Sequence, residues 1–238
     1  MLPIEALCAR ARAWTGRYPH SAGSFEIRPW RLPRDVLPVY DEELDCIVGY
    51  QRAFARRCQL HDLNGDVIEV WACTTFLPEP DLRDRLLVVG GLWTARVRGM
   101  TPLGVAGCGA AVTPTAVGAL RRRFMALAQS PLFYAESAHA RMQERASFVP
   151  VHILRLALRH GDRLATPPEL GAVSRYSAIM WLRRTPHVLD VLMSADGSTV
   201  LRFDYWHYTG HAFVPGDGSS GSHGWDGWDG SDGSAGAD

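Results

Sequence analysis

"RRCQLHDLNGDVIEVWACTTFLP", residues 56–78, holds two strand-like runs joined at Asn64-Gly65. Asn-Gly between alternating apolar runs predicts a β-hairpin, because a type I′ turn needs positive φ at both central residues. A two-residue loop there pairs Arg57 with Ala72, and places Val70 and Ile68 on the same face. A longer loop would change these partners. The arginine has two readings: an edge residue reaching to water, or a group facing a cavity that holds an anion. A small residue opposite leaves room beside the guanidinium, whose planar fork suits a carboxylate.

A similar stretch closes the chain's apolar part. "HVLDVLMSADGSTVLRFDYWHY", 187–208, centres on Asp196-Gly197 and predicts a second hairpin. "SFEIRPW" (24–30) and "LDCIVGY" (44–50) are weaker strand candidates. Between the hairpins the pattern is helical. "TPTAVGALRRRFMALAQ" starts with a Thr113 cap and Pro114 at the first helical position. It then spaces Val117, Leu120, Phe124 and Leu127 along one face. "ESAHARMQERA" and "VPVHILRLALRHG" follow, the latter stopped by Gly161. Hairpins at both ends with helices between predict an α+β domain over 1–215, an antiparallel sheet covered by helices on one side.

Residues 216–238 contain no Leu, Ile, Val or Phe. They cannot bury enough apolar surface to offset their ordering entropy, which predicts a disordered Gly/Ser/Asp-rich tail. The whole chain carries 25 basic and 25 acidic residues, and every basic one is arginine. Five aspartates fall in the tail, leaving 25 arginines against 20 acidic residues in the rest. That mild excess suits a small anionic ligand and is too diffuse to argue for nucleic acid. No apolar run approaches the ~18 residues needed to span a bilayer. The start lacks a signal-peptide core, so a cytoplasmic location is expected.

The five cysteines (8, 46, 58, 73, 108) form no CxxC pair and read as free thiols. The nine histidines show no HExxH, so no metal is expected. "DLNGD" (62–66) imitates the start of a calcium loop, but Val67 stands where the loop glycine belongs and Cys73 where the bidentate glutamate belongs. No phosphate loop, dinucleotide glycine pattern or G-x-S-x-G elbow is present, so no nucleotide cofactor is expected.

In the second hairpin, Val200, Arg202, Asp204, Trp206 and Tyr208 alternate on one face, with Leu201, Phe203 and Tyr205 on the other. An aspartate flanked by aromatic side chains is a candidate for general acid or base work. The competing reading is an Arg202–Asp204 surface pair, which is worth little.

Taken together, these residues resemble the chorismate lyase family, whose fold is shared by the ligand-binding UTRA domains of transcription regulators. "AWTGRY" supplies Thr15, Arg17 and Tyr18, with Trp14 where a lyase has a smaller apolar residue over its site. Arg57 stands eight residues before the hairpin glycine, Gly65, and the returning strand carries Ala72, Thr75 and Pro78 in an A-x-x-T-x-x-P pattern. T-P-L-G follows intact as Thr101-Pro102-Leu103-Gly104, and Asp204 stands where the lyase has glutamate. The likeness is strongest over 54–104. It is absent over about 105–175, which would be a helical insertion. One departure is that Thr74 occupies the place of the family's second arginine. Either Arg98, Arg202 or an arginine of the insertion replaces it, or the ligand has only one carboxylate.

The resemblance implies a closed pocket in which Arg57 clamps a ring carboxylate and the Leu103 amide caps it. Thr101, Gly104, Trp14, Thr74 and Arg202 would line that pocket, and Asp204 would assist loss of the enolpyruvyl group. It implies a cofactor-free lyase turning chorismate, or a related small aromatic or cyclic carboxylic acid, into 4-hydroxybenzoate and pyruvate, in secondary metabolism. A second expectation is another cofactor-free biosynthetic enzyme with Asp204 or Glu69 as proton shuttle. The third, a non-enzymatic UTRA-like module, ranks last because such modules follow a DNA-binding winged helix. The expected partners are a small anionic carboxylic acid but no nucleic acid and no membrane. Monomer and homodimer are both open.

Overall fold

The computed structural model describes residues 8–14, 25–54, 57–72, 100–103, 112–166 and 172–210. The strands are β1 (Arg12–Ala13), β2 (Phe25–Ile27), β3 (Leu37–Asp41), β4 (Cys46–Phe54), β5 (Arg57–Asp62) and β6 (Val67–Ala72). They continue with β7 (Thr101–Pro102), β8 (Phe133–Tyr134), β9 (Asp162–Leu164), β10 (Val173–Leu182), β11 (Thr185–Ser194) and β12 (Thr199–His207). Three helices are described: α1 (Pro114–Gln129), α2 (Glu136–Gln143) and α3 (Val151–His160).

The α+β class holds, but the single antiparallel sheet does not. One sheet orders β1-β8-β12-β11-β10-β2, with β9 also on β10; the other orders β6-β5-β4-β3-β7. Both are mixed: β12 runs parallel to β8, and β3 parallel to β7. The Tyr50 hydroxyl on β4 donates to the Ile27 carbonyl on β2 at 2.9 Å, tying the two sheets together.

The opening hairpin forms with Arg57 opposite Ala72, but its turn is different from the expectation. The Gly65 amide donates to the Asp62 carbonyl, and only Gly65 adopts positive φ, at +86°. The loop is therefore three residues with a glycine bulge, not a type I′ Asn-Gly pair. A register shift between Leu60 and His61 leaves Ile68 as an extra residue on β6, which restores the two-residue register at Arg57. The second hairpin also turns on a glycine, with Gly197 at φ +69° and its amide on the Ser194 carbonyl, but Met193 opposite Val200 makes its loop one residue longer. Asp196 caps that turn, and hydrogen bonds from Ser194 and Ser198 hold its carboxyl down to about 2.

A third hairpin, β10–β11, is not predicted by the sequence pattern, and the first residues of β10 fall in the stretch read as a helical insertion. Its turn is Arg183-Arg184, with φ of +50° and +69°. Arginines at both positive-φ positions carry none of the Gly/Asn signal on which turn prediction rests.

The helices lie where their periodicity places them. Thr113 caps α1: its hydroxyl oxygen accepts from the Ala116 amide and its O–H donates to Glu69 of β6 at 2.9 Å. Ala116, Leu120 and Phe124 are its buried stripe. Leu120 sits so close to Gly49 that a Cβ there would lie 2.9 Å from its Cδ2 and 2.4 Å from the His61 carbonyl oxygen. Glycine is what lets α1 settle on the second sheet. α3 buries Ile153, Leu154, Leu156 and Ala157 against β2, β10 and β11. The two helices meet through Phe124 and His152, whose rings lie 5.0 Å apart. One continuous core thus joins both sheets through α1 and α3. Burying each large aliphatic side chain in it contributes about 1.5–3 kcal/mol.

Candidate functional site

The expected catalytic pair is divided between the sheets, Arg57 on β5 and Asp204 on β12. Among the described residues no hydrogen bond or ion pair joins them. Arg57 is exposed, on the face of β5 opposite the buried Cys58 and Leu60. Leu103 follows β7, which lies three strands from β5 across the sheet. At about 4.8 Å per strand spacing, that is roughly 14 Å of lateral separation alone. Arg57 and Leu103 thus stand on one sheet with two strands, β4 and β3, between theirs. The Leu103 amide donates to the Tyr40 carbonyl at 2.8 Å. Thr101 contributes backbone to β7, while Thr74 and Gly104 lie outside the described residues.

Asp204 is half-buried and carries two guanidiniums. Arg141 of α2 reaches Oδ1 at 2.7 Å, and Arg202 reaches Oδ2 at 2.5 Å. A proton-transfer role would require releasing one of these partners. The surface-pair reading describes its surroundings better, extended by Arg141, which the sequence did not suggest. The sheet register explains the cluster. Asp162, Ser177, Asp190 and Asp204 stand in one row across β9, β10, β11 and β12. The next row on that face carries Arg175 and Arg202, and Arg175 reaches Asp190 at 2.9 Å. Asp190 and Asp204 are thus paired with arginines on a half-buried face, opposite buried Leu189, Val191 and Phe203. Trp14 stands edge-on to His139 of α2, ring centroids 5.5 Å apart. His139, Arg10, Arg12 and Glu136 line a cleft of about 540 Å³ beside β8.

A second cleft, about 590 Å³, opens between the β5–β6 turn, the end of α1 and the end of α3. Asp62, Asn64, Asp66, Arg123, Arg155 and Arg159 line it. Asp62 is 1% exposed; its Oδ1 accepts the Asn64 and Asp66 amides and its Oδ2 accepts from Arg123 at 2.7 Å. Arg155 donates to the Ser130 carbonyl at 3.2 Å and to the Pro131 carbonyl, satisfying the frayed end of α1. Burial lowers the Arg155 pKa from its ordinary value. Arg159, one turn further along α3, is exposed and makes no hydrogen bond or ion pair among the described residues. At the rim, His160 Nε2 lies 3.4 Å from Asn64 Oδ1. Burial, then Arg159 and Arg31, push the His160 pKa down.

Three guanidiniums thus face two carboxylates, and among the described residues lining the cleft Arg159 is the uncommitted one. A small anion can dock on Arg159 with Arg155 and Arg123 beside it at no cost of breaking an ion pair. The sequence signal for this site is the i, i+4 pair Arg155/Arg159, which shares one helix face. What the sequence could not show is that the Asn64-Gly65 turn lands beside it.

No family model, curated protein or solved structure matches the chain.

Proposed function

We propose that this protein binds a small organic anion, a carboxylic acid, in the cleft between the β5–β6 turn, α1 and α3. The uncommitted Arg159, set in an open cleft beside Arg155 and Arg123, carries the reading. A planar guanidinium favours carboxylate over a spherical anion, because it donates two parallel hydrogen bonds. The neutral His160 at the rim would accept a hydrogen bond from a hydroxylated ligand. The test is thermal stabilisation by 4-hydroxybenzoate and related ring acids. At a hundredfold excess over Kd, a ligand adds about 2.7 kcal/mol to stability. Arg159→Ala should abolish that gain while leaving the ligand-free melting temperature unchanged. A gain that survives Arg159→Ala, or no gain with any such acid, rejects the site.

The second reading is the lyase implied by the resemblance: cofactor-free elimination of pyruvate from chorismate or a related acid, driven by aromatisation. Its support is the Arg57–Ala72 pairing, together with Thr101-Pro102 entering the same sheet as Arg57. Incubation with chorismate, followed for 4-hydroxybenzoate and pyruvate, separates the two readings. Turnover lost in Arg57→Ala and Asp204→Asn favours the lyase with its site at those residues. Absence of turnover leaves binding alone, including the UTRA-like module.

A further inference from the structure

We propose that His187 and His207 form a two-imidazole site for a divalent first-row transition-metal ion, binding Cu²⁺ most tightly. The two residues stand directly opposite each other on β11 and β12, and their ring centroids are 5.6 Å apart. With metal–nitrogen bonds of about 2.0–2.1 Å, a ring centroid lies about 3.2 Å from a bound ion. Two such arms spanning 5.6 Å subtend about 120°, within reach of tetrahedral coordination.

The tautomer of His187 is set for this task. Its Nδ1 lies 2.9 Å from the Thr185 carbonyl oxygen, which can only accept, so Nδ1 carries the proton. The Nε2 lone pair is then the metal-binding atom. A carbonyl holding the far ring nitrogen is the outer-sphere arrangement found behind metal-ligating histidines. His207 is exposed and makes no hydrogen bond among the described residues, so its ring nitrogens are open to the same ion. The site is placed by the register of two long strands. Tyr205 stands edge-on to His187 at 5.7 Å and spends its hydroxyl on the Ala146 carbonyl at 2.6 Å. It therefore braces the ring and supplies no ligand. Among the described residues no group of three metal-ligating side chains converges anywhere. Two protein ligands leave the remaining positions to water or to an incoming anion. Imidazole pairs suit Cu²⁺, Ni²⁺ and Zn²⁺, and the affinity order among them puts Cu²⁺ first.

The experiment is a Cu²⁺ titration of tag-free, full-length protein, read by calorimetry and by electron paramagnetic resonance. One equivalent should bind with a two-nitrogen hyperfine pattern. His207→Ala and His187→Ala should each weaken it at least tenfold and leave one nitrogen, while His139→Ala leaves affinity and pattern unchanged. His207 is exposed, so its substitution keeps the fold and decides the matter even where His187→Ala disturbs it. Parental binding by His207→Ala overturns the site, as does the absence of a two-nitrogen signal in the parent.

Discussion

Asp62 imitates the first ligand of a calcium loop and is instead the anchor of the first hairpin. Its carboxylate accepts two turn amides and the Arg123 guanidinium while almost fully buried. Removing it leaves the two turn amides without their acceptor and takes from the half-exposed Arg123 its buried partner, so Asp62→Ala should cost about 2–4 kcal/mol in urea denaturation. Asp66→Ala, whose side chain is exposed and 3.7 Å from Arg123, should stay within about 0.5 kcal/mol. His152 is the other buried polar residue with a measurable consequence. It is 1% exposed, neither ring nitrogen has a partner, and desolvation pushes its pKa down to about 3. The unfolded chain takes up a proton near pH 6.5 and the folded one does not until about 3. Stability should therefore fall as pH drops through that window, by up to about 1.4 kcal/mol per pH unit from this residue. His152→Leu should flatten that slope and add about 1–3 kcal/mol at neutral pH, measured by denaturation from pH 7 to 4.

At the scale of elements, the informative comparison is among the three hairpins. Asn64-Gly65 and Asp196-Gly197 announce two of them, because only the glycine–polar pairing makes positive φ cheap. Arg183-Arg184 makes the tightest turn of the three with residues that resist it. Each left-handed non-glycine residue costs about 1–2 kcal/mol, which the ten-residue ladder of β10 with β11 outweighs. The double substitution Arg183→Asn with Arg184→Gly should raise stability by about 1–2 kcal/mol, read from the denaturation midpoint at unchanged m-value. A fall would mean that the arginines make contacts worth more than the strain. The same reasoning explains the unexpected extra hairpin. β10 reads as strand in composition, but without a turn signal after it the hairpin had no visible boundary.

For the whole molecule, the two sheets decide what can cooperate. The order of Arg57 and Asp204 along a familiar motif pattern draws them together, and the topology sends them to different sheets. The cleft forms the opposite way, from residues about 30 to 100 positions apart that no motif connects. Arg159→Glu should abolish anion-dependent stabilisation in a thermal melt and leave the unliganded protein within about 0.5 kcal/mol, since its head group is exposed.

The amino-acid order by itself determined the α+β class, the presence of the two glycine-turned hairpins, the Thr113 cap with Leu120 and Phe124 on the buried face of α1, and the helical span of α3. These depend on near neighbours: a turn glycine, a side chain three residues ahead, a period of 3.6. The tertiary structure alone decided the division into two sheets, the Arg-Arg turn, and the meeting of Asp62, Arg123 and Arg159 around one cleft. Such arrangements depend on where packing brings distant segments, and a buried ion pair or a strained turn persists only because the rest of the fold holds it.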